Sequence, residues 1–172
     1  NVWLGSFGDG IYRASRGKIK RVVGTGQPDE VVRSVAGAPN GELLLALQQG
    51  LGFLNKENVY RPAIVNFNGN LNTVQDMQQD GENWLLATDS GAYRWQPATG
   101  QIDLLDPSLR GVKSRVVKPR AAGGYWVGTA LGLFQYDQGK LTPFAFSCLK
   151  NKHTLTPTFT YSSNTTHHTP QV

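Results

Sequence analysis

The chain has 172 residues, and its 17 Lys and Arg outnumber its 12 Asp and Glu, which gives a net charge of +5. Its single cysteine excludes a disulfide framework within the chain, and no apolar run approaches the roughly 20 residues that a membrane helix needs. The basic residues are scattered, and no helix-turn-helix, zinc-finger or aromatic-plus-basic strand motif accompanies them. We therefore expect solvated faces and protected sheet edges, and no nucleic-acid partner.

A repeat organises the chain. Four small residues, each following a short apolar run, are spaced 41 residues apart, at Gly5, Ala46, Ala87 and Gly128. A glycine follows each of them after four or five residues, and an aromatic residue comes two or three positions later. A step near 40 residues is the length of one four-stranded propeller blade. The sequence therefore predicts an all-β fold, a β-propeller fragment of about three and three-quarter four-stranded antiparallel blades.

Strands are predicted from alternating hydrophobicity and bounding turns, and those of one blade are lettered A to D from the axis outward. The first copy lacks strand A and has strands at 2–6, 10–14 and 18–23; the second has 31–36, 42–47, 50–54 and 59–64. The third has 73–78, 83–88, 91–96 and 101–105, and the fourth has 114–118, 125–129, 132–137 and 140–145. The blade segments thus cover 1–23, 31–64, 73–105 and 114–145, and we expect essentially no helix. The tryptophans at 3, 84, 95 and 126 are expected to pack sheet against sheet.

The propeller is predicted to end near residue 146. Residues 147–172 are rich in Thr, Ser, His and Asn, which predicts a polar tail or linker. The stretch 155–161 alternates like a strand and would close a ring by supplying the absent strand A, although Pro157 lacks the amide of a central ladder position. All three histidines lie in this tail, so the propeller part offers no imidazole base, and no metal or other cofactor is predicted.

One rim of the propeller is the candidate binding site. Ligand sites in radial propellers lie at the axis, where the connections between strands D and A and between B and C converge. Basic and amide side chains fall at or just before strand A on this rim, at Arg33, Asn72, Arg110, Lys113 and Arg115. Such a mouth would hold a carbohydrate or an acidic small molecule. The alternative is that these residues are exposed polar groups that end strands.

Several motifs of the repeat resemble the two-component regulator propeller repeat. That repeat combines apolar-Arg-Ser-apolar, a Trp-apolar-Gly-Thr strand and Gly-apolar-Tyr/Phe-Arg. The matches are Val32-Arg33-Ser34-Val35, Trp3-Leu4-Gly5-Ser6 with Gly10-Ile11-Tyr12-Arg13, and Trp126-Val127-Gly128-Thr129 with Gly132-Leu133-Phe134. The chain departs from the pattern where Leu44 and Leu45 replace Trp, where Trp84 comes one place early, and where Ala46 and Ala87 replace Gly.

The resemblance implies the periplasmic sensor region of a bacterial membrane-bound regulator, such as a hybrid histidine kinase or a diguanylate cyclase. Its propellers usually have seven blades, relay an extracellular signal and share no catalytic set. The chain would then be about half of one ring, expected to be a piece of a longer protein, with the rest of the propeller and downstream effector domains as partners. No membrane segment is expected in this piece.

The resulting hypothesis is a non-catalytic, ligand-sensing or signal-relaying propeller segment. One alternative is a protein–protein interaction scaffold. Another is a propeller lyase or hydrolase, for which Asp89 and Asp106 on the axial rim would be the carboxylates to test. An open strand-A edge and an open blade face predict that the isolated piece either forms a homodimer or is marginally stable.

Overall fold

The computed structural model describes residues 2–22, 31–48, 50–63, 65 and 73–145. Fifteen strands form four antiparallel sheets within these ranges. Sheet 1 contains β1 (Val2–Gly5), β2 (Ile11–Ser15) and β3 (Lys18–Val22). Sheet 2 contains β4 (Val32–Gly37), β5 (Leu43–Leu47), β6 (Gly50–Leu54) and β7 (Tyr60–Ala63). Sheet 3 contains β8 (Val74–Asp80), β9 (Asn83–Thr88), β10 (Gly91–Trp95) and β11 (Ile102–Leu104), and sheet 4 contains β12 (Ser114–Pro119), β13 (Tyr125–Thr129), β14 (Gly132–Asp137) and β15 (Lys140–Pro143).

The strands of each sheet follow one another in space as they do in sequence. The innermost strands β4, β8 and β12 contact one another in turn, so the sheets fan out from a shared axis. This arrangement confirms the partial β-propeller, and every predicted strand is present with bounds within two residues of those expected. Within the described ranges the only helix is the single 3-10 turn Pro107–Leu109, and no helix there is long and apolar enough to cross a membrane.

Sheet 3 is covered on both faces, and the side chains of its strand β9 alternate between the two cores. In β9, Trp84 and Leu86 belong to the core between sheets 2 and 3, whereas Leu85 and Ala87 belong to the core between sheets 3 and 4. Successive side chains of a strand point to opposite faces, so a strand covered on both sides must be apolar throughout. This explains why β9 is almost continuously apolar.

The expectation for the tryptophans is confirmed at three positions. Trp84 and Trp95 are 3% and 2% exposed between sheets 2 and 3, and Trp3 packs against the core between sheets 1 and 2. Nothing tests it for Trp126, which is half-buried on the face of sheet 4 that no other described sheet covers and contacts Phe144, just after β15, edge-on at 4.9 Å. The core between sheets 3 and 4 takes Val127, and Trp126 therefore lies on the other face of sheet 4.

A side-chain hydroxyl closes the turn between strands B and C in three of the four sheets. Thr88 Oγ1 donates to the carbonyl of Gly91 at 2.8 Å and accepts from the N–H of Ser90 at 3.2 Å. Thr129 makes the equivalent pair of bonds in sheet 4, and Ser6 does so in sheet 1. The Thr or Ser that ends the strand motif thus supplies local hydrogen bonds that hold the turn.

The small residue of the repeat faces the innermost strand of its own sheet or of the next one. Gly128 lies opposite Val116, and a Cβ atom at Gly128 would stand 2.5 Å from Val116 Cγ1. Ala46 lies opposite Ser34, and Ala87 lies opposite Asp76. Alanine therefore occurs where the facing residue is Ser or Asp, and glycine where it is a branched valine.

Carboxylates link neighbouring sheets near the axis and on the rim opposite the predicted site. Asp76 of β8 accepts from Ser34 Oγ of β4 at 3.3 Å, from the Val117 N–H of β12 at 3.0 Å and from Lys118 Nζ at 2.9 Å. The Asp76 side chain is 13% exposed. It therefore joins the three innermost strands at one point.

On the opposite rim, the Tyr125 hydroxyl of sheet 4 donates to Asp80 Oδ1 of sheet 3 at 2.8 Å. Asp80 also pairs with Arg94 at 2.5 Å. Burial first, and then the hydrogen bond to Asp80, raise the pKa of Tyr125 to about 12. The phenol is therefore held in its neutral form in the folded protein.

We expect alkaline pH to destabilise the protein through Tyr125. A tyrosine ionises near pH 10 when unfolded, whereas Tyr125 ionises near 12 when folded, so stability that is complete below pH 10 is lost between pH 10 and 12. Urea unfolding of the wild type and of Tyr125→Phe at pH 8 and pH 11 measures this effect. The loss on raising the pH should be smaller in the variant, and an equal loss in both proteins would contradict the prediction.

Candidate functional site

The axial rim is the side of the propeller that carries the turns after β5, β9 and β13 and the connection into β12. Each of the innermost strands β4, β8 and β12 begins on this rim with a β-bulge. The register shifts between Val32 and Ser34, between Val74 and Asp76, and between Ser114 and Val116. The extra residues are Arg33, Gln75 and Arg115. Bulges at rims re-aim side chains away from the regular pleat. The repeat therefore places one long polar side chain per blade at the mouth of the axis.

In sheets 2 and 3 the bulge side chain bonds to the residue that follows strand B of the same sheet. Arg33 Nη2 donates to Gln48 Oε1 at 2.6 Å. Gln75 Nε2 donates to Asp89 Oδ1 at 3.0 Å. The two pairs occupy the same position in successive blades, and each one ties its bulge side chain to the end of strand B.

Sheet 4 breaks this pattern. The residue that follows its strand B is Ala130, which has no polar side chain to offer. The exposed guanidinium of Arg115 therefore has no hydrogen-bond or ion-pair partner among the described residues. It is the bulge side chain that remains available for a ligand.

An ion pair joins sheets 3 and 4 at the same rim. Lys113 Nζ lies 2.7 Å from Asp89 Oδ1. Lys113 holds the pKa of Asp89 below its usual range; partial burial opposes the shift, whereas the Gln75 amide and the positive charge of Arg33 add to it. Gln75, Asp89 and Lys113 are in contact across sheets 3 and 4, and the charge of Arg33 in sheet 2 acts on Asp89, so the four residues are treated as one cluster.

One donor within this cluster is unsatisfied. Arg33 Nε is buried and has no acceptor among the described residues. A buried N–H without a partner costs free energy. Arg33 Nε and the Arg115 guanidinium are therefore two donors at the mouth that the described part of the protein leaves without acceptors.

Two of the predicted site residues belong to this cluster, a third lies at the equivalent bulge of β12, and a fourth lies at the end of the 3-10 turn. Arg33 and Lys113 lie in the cluster around Asp89, and Arg115 lies at the equivalent bulge of β12. Arg110 follows the 3-10 turn, where its N–H donates to the Pro107 carbonyl, and no bond joins its side chain to the cluster in the described ranges. Asn72 lies outside the described residues.

Sequence reasoning missed Gln48 and Gln75. Gln75 could have been found, because it precedes the small residue of its repeat by 12 positions, much as Arg33 and Arg115 precede theirs by 13. Asp106, named with Asp89 as a carboxylate to test, instead caps the 3-10 turn by accepting from the Ser108 N–H at 2.9 Å. No signal in the sequence identifies Gln48, whose role depends on a contact with a side chain 15 residues away.

The cluster is poorly equipped to act as a general acid at neutral pH. A general acid at neutral pH needs a raised carboxyl pKa, whereas that of Asp89 is lowered and its Oδ1 already accepts from two donors. In the described part of the chain, no group of three His, Cys, Asp or Glu side chains is placed to hold a metal ion. Guanidinium and amide donors at a rim suit carboxylate, sulfate or hydroxyl acceptors.

No protein-family model and no curated protein matches the chain. Solved structures do match. The extracellular domain of BT4673 from B. thetaiotaomicron, described as a hybrid two-component system, has a TM-score of 0.68 and 17% identity over 85% of this chain and 21% of its own. The corresponding domain of BT3049 from the same organism has a TM-score of 0.63 and 19% identity over 81% of this chain and 20% of its own.

YCF48 bound to a D1 peptide has a TM-score of 0.57 and 16% identity over 80% of this chain and 47% of its own. The chain thus spans about a fifth of the length of the two-component domains that it matches. These two neighbours are of the class of protein that the repeat resembles. At this level of identity the likeness establishes the fold, a segment of β-propeller.

Proposed function

We propose that the chain is a non-catalytic, ligand-sensing segment of an extracytoplasmic propeller in a bacterial membrane-bound regulator of the two-component type. The observation that carries the proposal is the axial rim, where successive blades present Arg33, Gln75 and Arg115 on equivalent bulges. The likeness to extracellular domains of two-component systems supports it. The rest of the ring and the effector domains would be its partners within the parent protein.

The ligand of this rim is a carbohydrate that bears a carboxylate or sulfate. Arg115 offers an unpaired guanidinium, which binds such groups through two parallel hydrogen bonds. The Gln48 and Gln75 amides suit the hydroxyl groups of a sugar. A ligand that spans the cluster would bridge sheets 2, 3 and 4, and so would change their packing and bias the parts that follow.

Calorimetric titration of the 172-residue chain with trigalacturonate and with maltotriose tests the proposal. We expect the acidic trisaccharide to bind more tightly than the neutral one, with an affinity that falls as salt is added. Arg115→Gln should weaken binding of trigalacturonate about tenfold, which corresponds to the loss of one charged hydrogen-bonding group.

Arg16→Gln is the matched control, because Arg16 is exposed in the turn between β2 and β3 on the opposite rim. It should bind trigalacturonate as the wild type does. An absence of heat with both sugars, or equal binding by wild type and Arg115→Gln, would contradict a ligand site at the axial rim.

A further inference from the structure

The inner edge of sheet 1 is open along most of its length. β1 carries Gly5, the small residue of the repeat, and so corresponds to β5, β9 and β13, each of which pairs on its inner side with a further strand. Among the described residues β1 pairs only with β2, although the Val32 N–H at the start of β4 donates to the Ser6 carbonyl just past its end, at 3.0 Å. The edge of Val2–Leu4 therefore presents backbone groups that another strand could pair with.

This edge lacks the features that protect the outer edges of the sheets. Each outermost strand carries charged residues or a proline: Lys18 and Lys20 in β3, Pro62 in β7, Asp103 in β11, and Lys140 in β15. Such residues discourage the addition of another strand. β1 has neither a charge nor a proline, and its Val2 and Leu4 side chains are 60% and 46% exposed. Its composition is that of a strand with neighbours on both sides.

An ion pair in sheet 3 shows how an innermost strand neutralises an arginine of its own sheet. Arg94 lies on β10, opposite Leu85 in the ladder, and pairs at 2.5 Å with Asp80. Asp80 is the last residue of β8 and lies two positions beyond Gln78, which is the partner of Leu85 on the other side. The guanidinium and the carboxylate thus meet across the strand that lies between them.

Arginine and aspartate occur together at these two positions. In sheet 2 the positions hold Phe53 and Ala38, and in sheet 4 they hold Gln135 and Arg120. Among sheets 2 to 4, the innermost strand therefore carries the carboxylate only where the sheet has the arginine.

Sheet 1 has the arginine. Arg13 lies opposite Trp3 in the ladder, as Arg94 lies opposite Leu85, so Arg13 holds the position of Arg94. Arg13 is partly exposed, and its guanidinium lies over the Trp3 ring, 5.8 Å from the ring centroid. It forms no ion pair with any residue that the structure describes, so the carboxylate that accompanies Arg94 has no counterpart there.

Stacking on a ring leaves a guanidinium free to pair with a carboxylate. Arg61 does both, because it lies over the Phe53 ring, 4.6 Å from the centroid, and also donates to Glu42 Oε2 at 2.8 Å. The contact of Arg13 with Trp3 is therefore compatible with an acidic partner.

We propose that the open edge of β1 pairs with an extended segment of the parent protein that carries an Asp or Glu at its end, placed to pair with Arg13. The segment would run antiparallel to β1, as β8 does to β9. Residues 147–172 contain no Asp or Glu, so the stretch 155–161 does not supply the carboxylate, and β1 of a second copy has none either. This assignment rests on the proposed function, in which the chain is part of a longer propeller.

Fluorescence anisotropy on the 172-residue chain, with peptide copies of β8 as probes, tests the assignment. The first probe is the labelled heptapeptide of Val74–Asp80, and the second carries asparagine in place of its last aspartate. The first should bind saturably and about fivefold more tightly than the second, as expected for one partly exposed ion pair. Arg13→Gln should bind the two peptides equally.

Three controls make the test specific. Arg16→Gln removes an exposed arginine from the turn between β2 and β3 and should keep the fivefold preference. A third peptide with proline in place of Gln78 cannot donate to the ladder there and should bind about tenfold more weakly than the first. Hydrogen exchange within Val2–Leu4 should slow when the first peptide is added.

Arg115→Gln, which alters only the axial rim, should bind the first two peptides as the wild type does, so this site and the sugar site can fail independently. The proposal is overturned by no saturable binding of the first peptide, or by equal binding of the first two peptides to the wild type. Slow exchange within Val2–Leu4 in the free chain would also overturn it. If Phe159→Pro abolished that slow exchange, the edge would belong to the stretch 155–161, and if dilution abolished it, the edge would belong to a second copy.

Discussion

Replacing Asp76 by alanine is expected to lower the free energy of unfolding by about 3 kcal/mol. The carboxylate joins β4, β8 and β12 through Ser34, Val117 and Lys118. Its removal leaves the N–H of Val117, a residue with 0% exposure, without its acceptor, and it deletes links to the sheets on both sides. Urea unfolding followed by tryptophan fluorescence measures the change.

Two further variants make the Asp76 prediction specific. Asp76→Asn keeps one acceptor oxygen, so we expect it to lose about half as much stability as Asp76→Ala. Asp103→Ala removes an exposed carboxylate on the outermost strand β11 that bonds only to Gln101 in the described ranges, and it should change stability by less than about 0.5 kcal/mol. Equal stabilities of Asp76→Ala and Asp103→Ala would show that the carboxylate does not hold the innermost strands together.

The second large effect is expected for Gly128→Ala, which should cost about 2 kcal/mol. The new methyl group would lie 2.5 Å from Val116 Cγ1, directly across the ladder between β12 and β13. The valine is β-branched and has few alternative rotamers, so the strands themselves must shift. Thermal or urea unfolding of the variant measures the loss.

A double variant tests whether the facing residue is the cause. Sheet 2 already combines Ala46 with Ser34 at the same position, so Val116→Ser should make room for an alanine at 128. We expect Gly128→Ala to cost little or nothing in a Val116→Ser background, which gives a coupling energy of about 2 kcal/mol. A full loss in that background would mean that the contact with Val116 is not what requires glycine.

The architecture could be predicted because every blade places the same kinds of residue at the same 41-residue interval. A small residue faces the ladder, and a glycine opens the next strand, so the 41-residue step survives even where sheet 2 has Leu44 and Leu45 in place of tryptophan. Which face of its sheet a tryptophan covers depends on its exact place along the strand. Trp84 is one place early relative to Trp126, and a shift of one residue in a strand reverses the side on which the ring lies.

The candidate site could be predicted only in part. Arg33 and Lys113 were expected at the axial rim because the strand order places the starts of the innermost strands there. Their partners could not be predicted in the same way. Gln48 and Asp89 accept hydrogen bonds from the bulge side chains only because each bulge turns its side chain toward the end of strand B. No local pattern in the sequence predicts a bulge.

Ala130 shows how one position per blade can change the side chains presented at the axial rim. The position is occupied by Gln48 in sheet 2 and by Asp89 in sheet 3, and in each sheet it decides whether the bulge side chain is tied down or free. None of these residues belongs to the cores between the sheets. Folding and the choice of side chains presented at the rim therefore depend on separate positions, so a single substitution per blade can change the rim while leaving the cores between the sheets intact.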